Sequence, residues 1–185
     1  APPAPEPTDR SFGFREFMAD RRRRLAAITM FAAQAAMQMA MVSVPLQLVQ
    51  HGYTMSAIAL STSIHVGGMF GPSIPLGRLA DRIGHRAVLV GGLILEAAGV
   101  ALTVATADHV WVTAGIFLVG AGWCGSNVAS TAAIIDATRP GARGRAVGVM
   151  DSVAAAGVLF PLSVGVLAEV WGVQSAGAVA MALLL

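Results

Sequence analysis

The strongest constraint on this chain is a long stretch without charge: no Asp, Glu, Lys or Arg occurs between Leu25 and Gly77. About 20 apolar residues are enough for a helix to cross a bilayer once, so this stretch is long enough for two crossings. A turn-like interruption at residues 51–54 divides it. The sequence therefore predicts one helix that ends near Val49 and a second that begins near Met55.

Further apolar segments follow at about residues 87–106, 110–135, 146–167 and 172–185. The whole chain is 56% hydrophobic and only 12% charged, whereas a soluble domain of its size needs more polar surface. Buried helices of a soluble protein would also carry charged outer faces, and these segments are apolar nearly all round. We predict an all-α polytopic membrane protein with six transmembrane helices in a lipid bilayer, the last of them cut short by the chain end.

The basic residues predict how the helices are oriented. All twelve are arginine, and they occur only before the first segment and in the second–third and fourth–fifth connections. Because Lys and Arg are enriched in cytoplasmic loops, we expect the N-terminus and both connections to be cytoplasmic. The net charge of +2 then reflects topology and does not indicate nucleic-acid binding. Arginine without lysine, beside abundant Ala and Gly, is typical of a GC-rich bacterial genome and favours a bacterial inner membrane.

Two regions differ in composition. Residues 1–24 are rich in Pro and Arg, which predicts a cytoplasmic leader or a linker between two halves of a longer protein. Residues 11–24 could form an interfacial helix with Phe14, Phe17 and Met18 on one face, or a solvated basic linker. Residues 25–185 form the predicted transmembrane domain.

The most specific local pattern lies between the second and third segments. Gly77 would allow a close helix contact, and Gly84 a tight turn. Asp81 could pair with Arg82 or Arg86 at the membrane face, and one conformation could keep a pair that another releases.

These five residues resemble the signature loop of the major facilitator superfamily. His85 departs from that pattern, because the family usually has another basic residue at this position. The resemblance implies a gating role for Asp81 and Arg82, because this loop latches two halves of the transporter on the cytoplasmic side. It extends into the fourth and fifth segments, which look like those of bacterial drug-efflux members at Gly120, Gly122, Trp123, Asn127, Asp136, Arg145, Gly148 and Asp151.

The resemblance implies one six-helix half of a secondary active transporter that exports small organic compounds in exchange for protons by alternating access. The second half would come from the same chain or from a dimer partner. The leader favours the C-terminal half, although an N-terminal half with a long tail stays open. The alternative function is a stand-alone membrane module that dimerises or regulates another membrane protein without transporting.

Polar residues inside predicted spans are candidates for function because each is costly in a membrane. Glu96 shares a helix face with Gly92, Gly99 and Thr103, so this face should turn into the bundle. Glu96 could bind and release a proton, or it could be a structural carboxylic acid bonded to a neighbouring helix.

Other intramembrane groups are candidates for proton or substrate binding. His65 shares a face with Ser61 and Gly68, and it is either a proton or substrate site or a satisfied interior residue. Gln34 and Gln38 lie one turn apart and could line a cavity or join helices. Trp123 and Asn127 complete the candidate site, with the indole as a surface for an apolar or cationic ligand.

Asp136 and Asp151 lie beside arginines that include Arg145, so ion pairs at the cytoplasmic membrane face are expected there.

Several classes of chemistry are not expected. The chain has one cysteine, Cys124, and we find no phosphate-binding loop, metal-ligand cluster or activated nucleophile. The sequence therefore predicts no enzyme, no cofactor and no metal.

Overall fold

A computed structural model describes residues 11–159, 161–162, 170 and 174–184. Every regular element in these residues is helical. The α-helices are α1 (Phe14–Ala19), α2 (Arg21–Gln50), α3 (Met55–Phe70), α4 (Ser73–Ile83), α5 (His85–Ala105), α6 (His109–Asp136), α7 (Arg143–Ala156) and α8 (Gln174–Leu184), with 3-10 turns at Pro140–Ala142 and Gly157–Leu159.

The predicted helix boundaries are confirmed for the long helices. Helix α2 ends at Gln50 and α3 begins at Met55, on either side of the turn that interrupts the charge-free stretch. Helices α2, α5 and α6 are each long and apolar enough to cross a membrane. The all-helical fold is confirmed, and the count of six transmembrane helices stays a prediction.

The second predicted span is not one continuous helix. It is interrupted at Gly71 and Pro72, so α3 ends at Phe70 and α4 begins at Ser73. Proline has no N–H to donate and its ring crowds the preceding helical turn, which explains a break at this point. Most of the predicted fifth span after Leu159, and the ends of the sixth, lie outside the described residues.

Side-chain caps set where the long helices begin. Carboxylate or hydroxyl oxygens of Asp20, Thr54 and Asp108 accept backbone N–H groups in the first turns of α2, α3 and α6. The backbone N–H of Arg23, 3.0 Å from the Asp20 carboxylate, lowers the pKa of Asp20 against the opposing effect of partial burial. The positive charges of Arg23 and Arg22 lower this pKa further.

Helix α6 is the centre of the bundle and packs against α2, α3 and α5. Its glycines allow very close approach. A Cβ atom at Gly122 would lie 2.5 Å from the backbone nitrogen of Glu96 on α5, and one at Gly120 would lie 2.5 Å from the carbonyl oxygen of His65 on α3. Both distances are too short for non-bonded atoms, so these interfaces require glycine. Helix α8 packs against α2 and α5.

The leader packs on the end of the bundle where α2 begins and α6 ends. Phe17 of α1 is fully buried, although Phe14 is 58% exposed, so α1 turns Phe17 into the protein and not toward lipid or solvent. The Arg23 guanidinium donates to the carbonyl oxygens of Ala137 at 3.0 Å, Glu16 at 2.8 Å and Phe17 at 3.3 Å. Arg23 therefore joins the leader, the start of α2 and the C-terminal end of α6.

Replacing Arg23 by alanine is expected to release the leader. The variant loses three hydrogen bonds from a charged donor, so backbone amides of residues 12–19 should exchange with deuterium at least about tenfold faster. Hydrogen-exchange mass spectrometry measures this directly. The control is Arg22→Ala, because Arg22 is exposed and its side chain forms no hydrogen bond within the described residues. Equal exchange in the two variants would contradict the role of Arg23.

Candidate functional site

Glu96 lies in the middle of α5, at its contact with α6. Its side chain is fully buried, and Gly92, Gly99 and Thr103 are buried beside it. The predicted face of α5 therefore does turn into the bundle. Neither carboxyl oxygen of Glu96 has a hydrogen-bond partner within the described residues.

Within the described residues, the surroundings of Glu96 contain no compensating positive charge. Apart from their first and last turns, the described helices packed around it contribute only two other titratable side chains, Cys124 on α6 and His65 on α3. Helix α2 has none beyond Arg24, and α8 has none. Because an isolated buried charge is very unfavourable in a membrane, this environment accommodates Glu96 as the neutral acid.

Two serines of α6 extend the polar character of this interface. Ser126 and Ser130 are fully buried, and neither hydroxyl has a hydrogen-bond partner within the described residues. A Cβ atom at Gly92 would lie 2.9 Å from the Ser126 hydroxyl oxygen, so Ser126 faces α5 one turn from Glu96. Sequence reasoning missed both serines, although their spacing after Gly122 places all three on one face of α6.

His65 is buried on the face of α3 that was predicted for it. Its Nδ1 donates to the carbonyl oxygen of Ile116 at 2.7 Å, which leaves Nε2 as the acceptor of the neutral ring. That Nε2 is buried without a partner in the described part of the chain. His65 contacts α6 at Gly120 and Glu96 contacts it at Gly122, about 200° apart around the helix. The structure therefore does not bring the two titratable groups together.

Ser61 belongs to a hydrogen-bond network that joins the N-terminal halves of α3 and α6. Its hydroxyl lies 2.7 Å from the Thr113 hydroxyl and 3.1 Å from Nε2 of His109. The Thr113 hydroxyl donates to the His109 carbonyl at 2.6 Å, and Tyr53 accepts the His109 backbone N–H at 3.1 Å. These groups satisfy one another, so the network joins the N-terminal half of α3 to the first turns of α6.

The structure brings together two of the predicted cavity residues. The indole N–H of Trp123 on α6 donates to the side-chain oxygen of Gln34 on α2 at 2.8 Å. Gln38 lies one turn after Gln34 on α2, and Asn127 lies one turn after Trp123 on α6. All four side chains are partly exposed. Asn127 accepts from the Thr131 hydroxyl at 3.3 Å. Helices α2 and α6 thus share a partly exposed polar surface, which we call the α2–α6 polar face.

The motif that resembles the signature loop of the family, residues 77–86, is mostly helical and not a loop. Gly77, Asp81 and Arg82 lie on α4, whose only buried residue is Ala80. Gly84 ends the helix with a φ of 91°, a conformation that favours glycine, as expected of a tight turn. A close helix contact was expected at Gly77. The described residues show none, because a Cβ atom there would meet nothing within 4 Å.

The charges of this motif are arranged differently from the prediction. Within the described residues, Asp81 forms no ion pair with Arg82 or with the exposed Arg86. It is His85 that forms one, with its Nε2 2.9 Å from the carboxylate of Asp136. This contact joins the start of α5 to the end of α6.

The partners predicted for Asp136 and Asp151 are also corrected. Asp136 pairs with His85 and not with a neighbouring arginine. Arg145 instead donates to the carbonyl oxygen of Phe12 in the leader at 3.4 Å. The exposed Asp151 forms no ion pair in the part of the chain that the structure describes.

The described residues contain no cluster of His, Cys, Asp or Glu that could hold a metal ion. Their long apolar helices, glycine-mediated packing and single buried carboxylate instead define a polytopic helical membrane protein. The sequence profile of the Major Facilitator Superfamily matches residues 26–185. The chain therefore belongs to this family of membrane transporters.

Individual relatives are similar to this chain over part of their length. It is 32% identical over 129 residues to the uncharacterized MFS-type transporter YddS of Bacillus subtilis, which covers 69% of this chain and 30% of the relative. It is 30% identical over 152 residues to the riboflavin transporter RfnT of Brucella anthropi, covering 81% and 37%. It is 28% identical over 116 residues to the multidrug resistance protein MdtH of Aeromonas salmonicida, covering 63% and 29%. The match thus spans about a third of the length of these relatives.

Proposed function

We propose that this chain is one half of a secondary active transporter that exports small organic compounds in exchange for protons. The observation that carries the proposal is Glu96, a fully buried carboxyl with no partner for either oxygen within the described residues. A structural carboxylic acid would be expected to bond to a neighbouring helix. A carboxyl without such a bond is suited to binding a proton in one conformation and releasing it in another.

The substrate path in this proposal runs along the α2–α6 polar face, between this chain and a second six-helix half. The hydrogen bond from Trp123 to Gln34 fixes the orientation of the indole, whose ring face can contact a planar or cationic compound. Relatives named as a riboflavin transporter and a multidrug resistance protein support an organic substrate. The N-terminus and the arginine-rich connections lie on the cytoplasmic side of a bacterial inner membrane.

Transport assays in proteoliposomes test this proposal. Purified protein is reconstituted, a pH gradient is imposed, and movement of riboflavin and of ethidium, a planar organic cation, is followed by fluorescence. We expect the gradient to drive at least one probe, and a protonophore that collapses the gradient should stop that movement. Probe movement that is indifferent to the gradient would contradict proton coupling.

Cytoplasmic gating is assigned in this proposal to Asp81 and Arg82 on α4. Asp81 is exposed and has no ion-pair partner within the described residues, so it is available to a partner on the second half. Helix α4 has little buried surface to hold it in place. Both features suit a contact that forms in one transport state and breaks in the other.

Replacing Asp81 by asparagine is therefore expected to slow the transport cycle and to change substrate binding little. Removing one ion pair at the membrane face should lower the maximal rate about three- to tenfold while KM stays within about twofold. The control is Asp151→Asn, another exposed carboxylate without an ion pair in the described residues. A parallel loss of binding and rate in Asp81→Asn would contradict the gating role.

A further inference from the structure

Two serines of the α5–α6 interface differ from other buried hydroxyl groups of the described helices. Several buried hydroxyl-bearing residues of the helices, including Ser61, Thr103 and Thr113, donate to a carbonyl oxygen three or four residues back. Ser126 and Ser130 are fully buried on α6 and do not. A hydroxyl that leaves its own helix unbonded is directed toward another partner.

Three buried groups that lack partners follow one another along this interface. Glu96 packs against Gly122, Ser126 lies one helical turn beyond Gly122, and Ser130 lies one turn beyond Ser126. All three side chains are fully buried. Because the chain runs along α6 toward Asp136, the order from Glu96 to Ser130 leads toward the end of α6 that bears the arginine-rich connection.

The spacing of these groups fits bridging water molecules. Residues four apart on a helix lie about 5–6 Å apart, and two O–H···O hydrogen bonds of about 2.8 Å through one water span this distance. Buried polar groups are almost always hydrogen-bonded to protein or to ordered water. Apolar packing would leave one carboxyl and two hydroxyls unsatisfied, which is costly inside a membrane protein.

We propose that Ser126 and Ser130 hold a row of water molecules that connects Glu96 to the cytoplasmic end of α6. In this row each water donates to one oxygen and accepts from the next, so a proton leaving Glu96 can pass from oxygen to oxygen without a charged side chain between. Ser126 and Ser130 are positioning residues, since they orient water and do not themselves change protonation state.

The inference deepens the proposed function, because it assigns the route by which a proton leaves Glu96. The groups facing this route are few. Cys124 is the remaining titratable side chain of α6 between its terminal His109 and Asp136, and His65 contacts α6 on another side. Among the described residues, the charged and titratable groups around the cytoplasmic end include His85, Arg86, Asp136, Arg139, Arg143, Arg145 and the leader's Glu16 and Arg23.

Deuterium exchange of the Glu96 carboxyl tests the row without any transported substrate. In the purified, reconstituted protein, infrared spectroscopy detects the C=O stretch of a protonated carboxylic acid, and the band missing from Glu96→Gln belongs to Glu96. Transfer into D2O shifts this band when the acidic hydrogen exchanges. In Ser126→Ala/Ser130→Ala we expect exchange to be at least about tenfold slower, because the hydrogen bonds that orient the water are lost.

A control variant and the two single serine variants make this result decisive. Ser152→Ala is the control, because the Ser152 hydroxyl donates to the Gly148 carbonyl of its own helix at 2.7 Å and is exposed. Should the double variant fail to fold, each single serine variant is measured instead, with several-fold slower exchange expected. Exchange as fast as in the control would overturn the row, and so would the absence of a Glu96 band at neutral pH.

The outcome is separable from the test of the proposed function. Transport that keeps its pH dependence in Glu96→Gln refutes the proton role of Glu96. If Glu96→Gln removes that dependence while the serine variants exchange as fast as Ser152→Ala, Glu96 keeps its role and the row is refuted.

Discussion

Glutamine in place of Glu96 is expected to abolish transport driven by a pH gradient. Glutamine has nearly the shape of a protonated glutamate but cannot release a proton, so the fold should survive while coupling is lost. Exchange of labelled for unlabelled probe across the membrane at equal pH, which needs no net proton movement, should persist. Proteoliposome assays with and without a pH gradient separate the two activities.

The matched control for this prediction is Glu16→Gln. Glu16 lies in the leader and is exposed, with its carboxylate 3.3 Å from the Arg139 guanidinium. The same chemical change there removes a surface ion pair, which contributes little to stability, and should leave coupling intact. Unchanged pH dependence in Glu96→Gln would remove Glu96 from the mechanism.

The largest effect on stability is expected from Gly122→Ala. The added Cβ would lie 2.5 Å from the backbone nitrogen and 2.7 Å from the Cβ of Glu96, so α5 and α6 must move apart. Overpacking of this kind costs about 1–3 kcal/mol, and backbone atoms cannot turn aside as a flexible side chain can. Thermal unfolding of the purified protein in detergent, followed by tryptophan fluorescence, measures the loss.

Gly91→Ala is the control for this substitution. Gly91 also lies within a long helix, but a Cβ atom there would meet nothing within 4 Å. Alanine favours helix more than glycine does, so this variant should be as stable as the natural protein or up to about 1 kcal/mol more stable. Equal thermal stability of the two variants would mean that α5 and α6 do not pack closely enough to require glycine at position 122.

Much of the fold follows from hydropathy alone. The turn before Met55 and the limits of α5 and α6 are predictable because a polar turn between apolar segments has few alternatives in a membrane. The burial of Glu96 is predictable for a related reason, since glycines at helical spacing on its own face indicate a close helix contact.

Pairwise contacts are much less predictable. The partner of Asp136 is His85, far away in sequence, and the nearby arginines gave the wrong expectation. Arg23 was one of four consecutive arginines, and only its position opposite the C-terminal end of α6 distinguishes it. Such contacts depend on how the helices are rotated against one another, which periodicity within a single helix does not determine.

The break at Gly71 and Pro72 makes α4 a lever. Its 11 residues extend about 16 Å, so a tilt of about 10° at the break displaces the far end by about 3 Å. That displacement matches the length of a hydrogen bond or a close ion pair. A small rotation at one proline within the membrane is therefore enough to make or break contacts of Asp81 and Arg82 at its surface, while α3 keeps its packing against α6.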